Sequence, residues 1–369
     1  MHHEILFKPL EIAGTKVKNR IFLAPLTRLR AQLPGEVPST MAKGYYAQRA
    51  SAGLVIAEAT NISPRARGYG GAPGLYSDEQ QAAWQEIVEA VHQQGSKMAV
   101  QLWHCGAISH QSLFDDGQAP ISASAANVPG ARTSLRNDDG TVRRVETTPA
   151  REASLEEIQQ VVRDFAESTR RAKAAGFDFV EIHGAHGYLL GQFFSPNANQ
   201  RIDEYGGSRE NRARLMLEVI DACVEAWDKD HVGIRISPMG TFNSVEMGYD
   251  EEETLWLVDQ IQQRGIAFLH ISEPDWSGGV PFSQEYREQL RQRFKQTLIC
   301  AGAYTAEKAD KLISEGLMDA VAFGRSFLAN PDLPERIAQG AELNPMREVG
   351  VYGGDAEGYI DYPRLSEAS

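Results

Sequence analysis

Two imidazoles and a phenol fall close together in His183-Gly184-Ala185-His186-Gly187-Tyr188. A His-x-x-His pair can bind a metal, donate two hydrogen bonds to one substrate oxygen, or pack structurally. A catalytic metal needs a third protein ligand, which His104 or Glu273 could supply. Two neutral imidazoles converging on a carbonyl or nitro oxygen would instead form an electrophilic clamp. Tyr188, two residues beyond His186, is placed to act as a general acid.

Other residues pose related questions. Arg235 interrupts the apolar run Val232-Gly233-Ile234-Arg235-Ile236. A charge in such a place needs a partner, either a carboxylate such as Glu273 or an anionic cofactor. Gln101, between Val100 and Leu102, raises the same question for a neutral amide. Ala301-Gly302-Ala303-Tyr304 and Phe323-Gly324-Arg325 offer glycine-bearing turns where backbone N–H groups can meet a phosphate, and Arg325 adds a charge-assisted contact. Tyr69, Trp103, Trp276 and Tyr352 fall in loops or at strand ends, as walls for a flat ligand would.

These residues need a scaffold that brings distant segments to one face. Eight apolar, β-rich runs are legible: Ile21–Leu26, Leu54–Ala59, Met98–Trp103, Phe179–His183, Val232–Ser237, Ala267–Ser272, Leu298–Ala301 and Ala320–Phe323. Helical patterns separate them at Met41–Ala52, Asp78–Gln94, Ser154–Ala175, Ser208–Asp228, Asp250–Arg264, Ser283–Phe294 and Ala306–Glu315. Ser154 with Glu157 reads as a capping box. Continuous apolar strands alternating with helices predict an α/β protein with a parallel sheet covered on its outside. Eight units favour a closed (β/α)₈ barrel in a single domain spanning residues 1–369. Thr27, Ala59, Gln101, Trp103, His183, Arg235, Gly302 and Gly324 then stand at or near the ends of the strands, on the face where barrels do chemistry. No G-x-G-x-x-G follows the first strand, which argues against a dinucleotide-binding Rossmann unit. Residues 4–19, with Ala13-Gly14-Thr15 as a turn, predict a hairpin capping the barrel bottom. Residues 105–150 read as a long irregular insertion after the third strand, over the active-site face.

With 369 residues and a formal net charge of −13, the chain is a poor general partner for nucleic acid or an anionic membrane. No apolar run approaches the ~20 residues of a membrane span. Met1-His2-His3-Glu4 lacks the basic-then-apolar order of a signal peptide. The three cysteines form neither a disulfide framework nor a zinc pattern. Cytoplasmic residence is expected, with Cys300 as core filler and Cys105 structural.

Over essentially its whole length the chain resembles the old yellow enzyme family of FMN-dependent ene reductases, and within it the bacterial branch of N-ethylmaleimide and pentaerythritol tetranitrate reductases. The resemblance is carried by Leu6-Phe7-Lys8-Pro9-Leu10, Ala24-Pro25-Leu26-Thr27-Arg28, Gly68-Tyr69 and Gln101-Leu102-Trp103-His104. It continues through His183 to Leu190, Asn199-Gln200-Arg201, Asp203 to Ser208, Phe323-Gly324-Arg325 and Asn330-Pro331-Asp332-Leu333. Thr27 stands where another branch carries cysteine, and His186 where some members carry asparagine.

The resemblance implies non-covalent FMN, with Pro25, Thr27, Ala59, Gln101 and Arg235 at the isoalloxazine. Arg235 would stabilise negative charge near N1 of the reduced ring. Gly302, Ala303, Gly324 and Arg325 would take the phosphate. His183 and His186 would bind the substrate's activating oxygen between Tyr69, Trp103, Trp276 and Tyr352. Tyr188 would protonate the carbon next to the activating group after hydride reaches the β-carbon. It implies NAD(P)H as donor, and as substrates α,β-unsaturated carbonyls, maleimides, nitroalkenes or nitrate esters. No metal is expected. The rival reading is a metal-dependent barrel lyase or hydrolase built on His183 and His186.

Overall fold

A computed structural model of the chain describes residues 2–126, 128–240 and 250–367. The eight strands expected from sequence are present: β1 Ile21–Leu23, β2 Leu54–Asn61, β3 Lys97–Trp103, β4 Phe179–His183, β5 Val232–Ile236, β6 Phe268–Ser272, β7 Thr297–Ala301 and β8 Ala320–Phe323. Each pairs in parallel with the next, and β8 pairs with β1 to close the barrel. The helices follow the expected periodicity within a few residues. They are α1 Thr40–Gln48, α2 Asp78–Gln93, α3 Leu155–Ala174, α4 Arg209–Ala226, α5 Glu251–Arg264, α6 Gln284–Arg293 and α7 Ala306–Ser314. The Ser154–Glu157 capping box forms, and Ser77 with Gln80 makes a second at the start of α2.

Alternation along the strands decides what lies inside. Phe22, Ile56, Ala99, Phe179, Phe268 and Ile299 belong to one buried cluster that fills the barrel. Their strand neighbours Leu23, Val55, Met98, Val180, Leu269 and Leu298 belong to another, packed under the helices. Each inward phenyl ring contributes roughly 1.5–3 kcal/mol of burial. Gly233 is required by this layer, because a Cβ there would lie 2.3 Å from the Phe268 ring.

Two steps further along each strand, toward its C-terminal end, the same inward parity selects Gln101, Glu181, Arg235 and His270, all buried. The interior is therefore apolar at one end and polar at the other. In β2 a register shift between Ala57 and Ala59 lets Ala59 pair with Gln101. Glu58, displaced there, accepts from the Arg28 backbone N–H at 2.9 Å.

The antiparallel pair Leu10–Ile12 and Thr15–Val17 forms the expected N-terminal hairpin, and Ile12 and Val17 join the barrel-filling cluster at its bottom. The segment 105–150, expected to be irregular, carries short strands within its turns. Arg132–Arg136 and Val142–Glu146 pair antiparallel across a turn holding Asp139-Gly140, and Ile121–Ser122 pairs with Arg151–Glu152. Its strands escaped notice because Arg143, Arg144 and Glu146 break the apolar signal, although Asp-Gly is a hairpin turn. The Gly70 N–H donates to Ser134 O at 2.8 Å, tying this hairpin to the loop that carries Tyr69.

Candidate active site

The end of β4 changes direction sharply. His186 has φ +60° and Gly187 φ +74°, both left-handed, and Tyr188 begins the short helix Leu189–Phe194. A histidine tolerates this conformation only when its surroundings hold it there. The His186 N–H donates to Ser237 Oγ at 2.8 Å, and its Nε2 hydrogen-bonds Ser272 Oγ at 2.8 Å. Strands β4, β5 and β6 thus all contribute to placing one imidazole.

Around this turn the aromatic residues meet. The His183 and His186 rings lie 5.4 Å apart and perpendicular, at 89°. Tyr188 stands edge-on to His183 at 5.0 Å and to Trp103 at 4.9 Å. Tyr69 stacks on Trp103 at 5.5 Å, and its hydroxyl is 3.1 Å from that of Tyr188. Trp276 meets His186 edge-on at 5.8 Å, with the Arg325 guanidinium 5.7 Å above its ring. Of the four aromatics expected as walls, Tyr352 is the exception. It is 51% exposed on the C-terminal tail, outside this ring cluster.

Electrostatics keep both imidazoles neutral. Burial, followed by the Arg235 charge, holds His183 and His186 well below the ordinary histidine range. The Ala185 N–H donates to His183 Nδ1 at 3.4 Å, which leaves the single proton on Nε2. If the Ser272 hydroxyl donates to His186 Nε2, the proton of that ring sits on Nδ1. Each ring then carries one N–H.

Neither expected third metal ligand joins the pair. His104 turns its Nδ1 to the Gly106 N–H at 3.1 Å, and burial pushes its pKa down to about 3. Glu273 is taken by Arg287, whose two terminal nitrogens each lie 2.6 Å from a carboxylate oxygen, and by the Tyr304 hydroxyl. Among the described residues no three His, Cys, Asp or Glu side chains are grouped to hold a metal.

Glu273 is therefore not the partner of Arg235 either. Arg235 is 7% exposed, and its Nε has no hydrogen-bond partner. Burial lowers its pKa to about 10, against the attraction of Glu181. It remains a cation at neutral pH, with a hydrogen-bond donor still unused. Sequence reasoning missed what lies beside it: Gln101 Nε2 donates to Glu181 Oε1 at 2.7 Å, and His270 Nδ1 lies 2.7 Å from Glu181 Oε2. The signal was present, since Glu181 and His270 interrupt apolar strands at the same inward parity as Gln101 and Arg235.

The remaining expected residues sit on surrounding turns. Pro25 is buried and Thr27 half-buried after β1, and Ala59 follows the bulge of β2. Gly324 opens the short helix Arg325–Ala329, leaving N–H groups at its start beside the exposed Arg325. The other glycine turn differs from its reading. The Ala303 N–H donates to Asp275 Oδ1 at 2.8 Å, and a Cβ on Gly302 would lie 2.5 Å from that oxygen. Asp275, itself paired with Lys308 at 2.8 Å, explains the glycine without a phosphate. Cys105 and Cys300 are buried and free, as expected of structural thiols; burial raises the Cys300 pKa to about 12.

A buried, unsatisfied guanidinium, an amide in the same buried layer and an aromatic enclosure suit a flat, anionic cofactor. Comparison with known proteins decides which. The profile of the NADH:flavin oxidoreductase / NADH oxidase family matches residues 5–344. The chain belongs to this family. This flavin oxidoreductase is 41% identical over 378 residues to 12-oxophytodienoate reductase 1 of Oryza sativa subsp. japonica, covering 98% of this chain and 93% of that one. Its fold matches morphinone reductase in complex with tetrahydroNAD with a TM-score of 0.91 at 45% identity, over 98% of this chain and 97% of the other. The old yellow enzyme homologue from Zymomonas mobilis matches with a TM-score of 0.90 at 37% identity, over 97% and 99% of the two chains. The old yellow enzyme resemblance and the closed barrel are both borne out, and FMN with a nicotinamide donor comes with the family. Nothing supports the lyase or hydrolase reading of the His pair.

Proposed function

We propose that this flavin oxidoreductase reduces carbon–carbon double bonds activated by a carbonyl or nitro group, drawing hydride from NADH or NADPH. Bound FMN would supply the hydride chemistry that links the nicotinamide to the substrate's β-carbon. Arg235 and Gln101 would hold the ring, with Pro25, Thr27 and Ala59 along it. Gly324 and Arg325 would take the phosphate, and Gly302 and Ala303 would join them where Asp275 yields. The observation that carries the reading is the pair of neutral imidazoles with Tyr188 beside them, above a buried cation. Neutral rings donate to a substrate oxygen without transferring a proton to it, and so polarise the conjugated system. Tyr188, 6% exposed and edge-on to His183, supplies the proton to the carbon next to the activating group. Trp103, Tyr69 and Trp276 exclude water and keep the acceptor flat.

Maleimides, nitroalkenes and nitrate esters fit the same clamp, because each presents an oxygen for the two imidazoles. The acceptor and the nicotinamide would use the pocket in turn, which gives ping-pong kinetics. Three buried free thiols suit a reducing compartment, and cytoplasmic residence is part of the proposal. Among the described residues no helix is long and apolar enough to cross a membrane, and the net charge of −13 disfavours nucleic acid as a partner.

The test is anaerobic. The yellow enzyme is bleached with one equivalent of NADH or of NADPH and then mixed with 2-cyclohexenone. Return of the oxidised flavin spectrum with formation of cyclohexanone supports the proposal. Bleaching without reoxidation by enone, maleimide or nitroalkene overturns it.

A further inference from the structure

The buried polar layer contains more than the reaction requires. Gln101, Glu181 and His270 form a continuous hydrogen-bonded chain across β3, β4 and β6, with both of its links at 2.7 Å. Glu181 and His270 are 0% exposed. Neither enters the steps assigned to His183, His186 and Tyr188. Burying a carboxylate is costly unless it is paired and hydrogen-bonded. Its pairing here is specific: Glu181 and Arg235 are the one negative and one positive member of this layer.

The consequence falls on Gln101. A carboxylate is acceptor-only, whereas an amide has one donor end and one acceptor end. Glu181 therefore requires the NH₂ end of Gln101. A flipped amide would set its carbonyl against the carboxylate, acceptor to acceptor. Burial keeps His270 neutral, and its one proton goes to Nδ1 to satisfy Glu181. The imidazole in turn fixes the carboxylate, since a ring that gives its only proton to Glu181 Oε2 cannot turn away without leaving that oxygen bare. Gln101 Oε1 is consequently turned away from Glu181 and accepts from no other protein donor among the described residues. Beside it stands the second hydrogen of the same NH₂ group. The amide presents one acceptor and one donor side by side, the complement of an imide edge in which an N–H adjoins a C=O.

We infer that Glu181, anchored by His270, is a positioning residue that locks the Gln101 amide in the orientation able to read the N–H/C=O edge of the isoalloxazine pyrimidine ring. The inference rests on the assignment of Gln101 to the cofactor. Glu181 acts through Gln101 and touches neither substrate nor flavin.

The test uses the holoenzyme carrying ¹⁵N-labelled FMN and reads the flavin N3 resonance by NMR, a signal that reports the hydrogen bond from N3–H and does not depend on turnover. In the wild-type enzyme N3 should report one hydrogen-bonded environment. Glu181→Gln is nearly isosteric but accepts either end of the Gln101 amide. It should shift N3 toward its free-FMN position or split it in two, with FMN dissociating roughly tenfold faster. Glu181→Asp keeps an acceptor-only group and should leave N3 close to wild type. If Glu181→Gln does not fold, the exchanged pair Gln101→Glu with Glu181→Gln restores a donor facing an acceptor between the strands. It should return a single hydrogen-bonded N3 signal while moving the C2 carbonyl signal of ¹³C-labelled FMN. A wild-type N3 without a hydrogen bond would overturn the assignment of Gln101 itself. A hydrogen-bonded wild-type N3 that Glu181→Gln leaves unchanged would overturn the role of Glu181 alone, and so would an exchanged pair that leaves N3 unbonded.

Discussion

The hydroxyls of Tyr69 and Tyr188 lie 3.1 Å apart, inside the ring cluster and buried. Burial raises the pKa of Tyr69, and the bond to Tyr188 opposes the shift. Tyr69 thus stays a neutral phenol that can donate to Tyr188 or accept from it. If Tyr188 gives up a proton in each turnover, its oxygen is left beside a donor that stabilises it. Tyr69→Phe removes that donor and keeps the ring stacked on Trp103. We expect ene reduction to slow about tenfold, the weight of one hydrogen bond to a developing charge, with flavin reduction by nicotinamide unchanged. Equal slowing of both half-reactions would instead assign Tyr69 to general packing of the pocket.

With the Ser272 hydroxyl as donor to Nε2, His186 carries its proton on Nδ1. Phenols should bind as phenolates between the two imidazole N–H groups and give a long-wavelength charge-transfer band with the flavin. Ser272→Ala frees His186 to take the other tautomer. Phenol affinity should fall about five- to tenfold, matching ~1 kcal/mol for one hydrogen bond. His183→Ala and His186→Ala should weaken the band further, and each should retain FMN. Titration of the band with p-nitrophenol measures all three, and an unaltered affinity in Ser272→Ala would remove the tautomer argument.

Arg235 carries its charge in a layer where, among the described residues, Glu181 offsets it. Arg235→Ala should lose FMN or lower its reduction potential, since removing a charge-assisted contact there costs ~1.5–3 kcal/mol. Flavin content after gel filtration and a redox titration check this. Unchanged content together with unchanged potential would place the anion site elsewhere.

Much of this was legible in the sequence. Strand and helix periodicity located the eight strands and seven helices, because a parallel barrel buries both faces of its strands and covers them with amphipathic helices; the short helices Arg325–Ala329 and Leu333–Gln339 after β8 were missed. His183, His186 and Tyr188 were legible because three polar groups crowd one strand end. Glu181 and His270 were missed for a different reason. Each is a single polar residue in an apolar run, and only the register, which pairs Glu181 with Gln101 and Arg235 with His270, shows that they form one layer. The hairpin at 132–146 was hidden by its charges. The capture of the Ala303 N–H by Asp275 joins loops after β6 and β7, a pairing no local pattern encodes.

Acid should destabilise the fold earlier than carboxylate protonation alone would. Burial holds His104, His183, His186 and His270 below their ordinary value. Below about pH 6.5 the unfolded chain binds protons at these rings and the folded chain does not. Their contribution is therefore complete above about 6.5 and is lost as pH falls, at up to ~1.4 kcal/mol per pH unit for each ring. For His104 the loss continues to about pH 3. Glu36 and Glu58, raised by burial, act in the opposite sense, gaining protons in the folded chain before the unfolded one as pH falls toward the ordinary carboxylate range. Denaturant midpoints at pH 7.5, 6.5 and 5.5 should drop mainly between the last two. A flat profile across all three would show that the imidazoles are not neutral by burial.

Rapid mixing of the Tyr188→Phe enzyme bears most directly on the whole account, because it separates hydride transfer from protonation in one protein. Reduction of the flavin by NADH or NADPH needs no proton from Tyr188 and should proceed within about twofold of wild type. Reoxidation by 2-cyclohexenone needs a proton at the carbon beside the carbonyl and should slow by ~10²–10⁴-fold, the usual loss for a positioned general acid. Nitrate esters, which accept hydride and release nitrite without protonation at carbon, should be much less affected. Reoxidation by 2-cyclohexenone at the wild-type rate would contradict the account, because the proton would then come from somewhere other than the residue that the His183–His186 turn places beside the clamp.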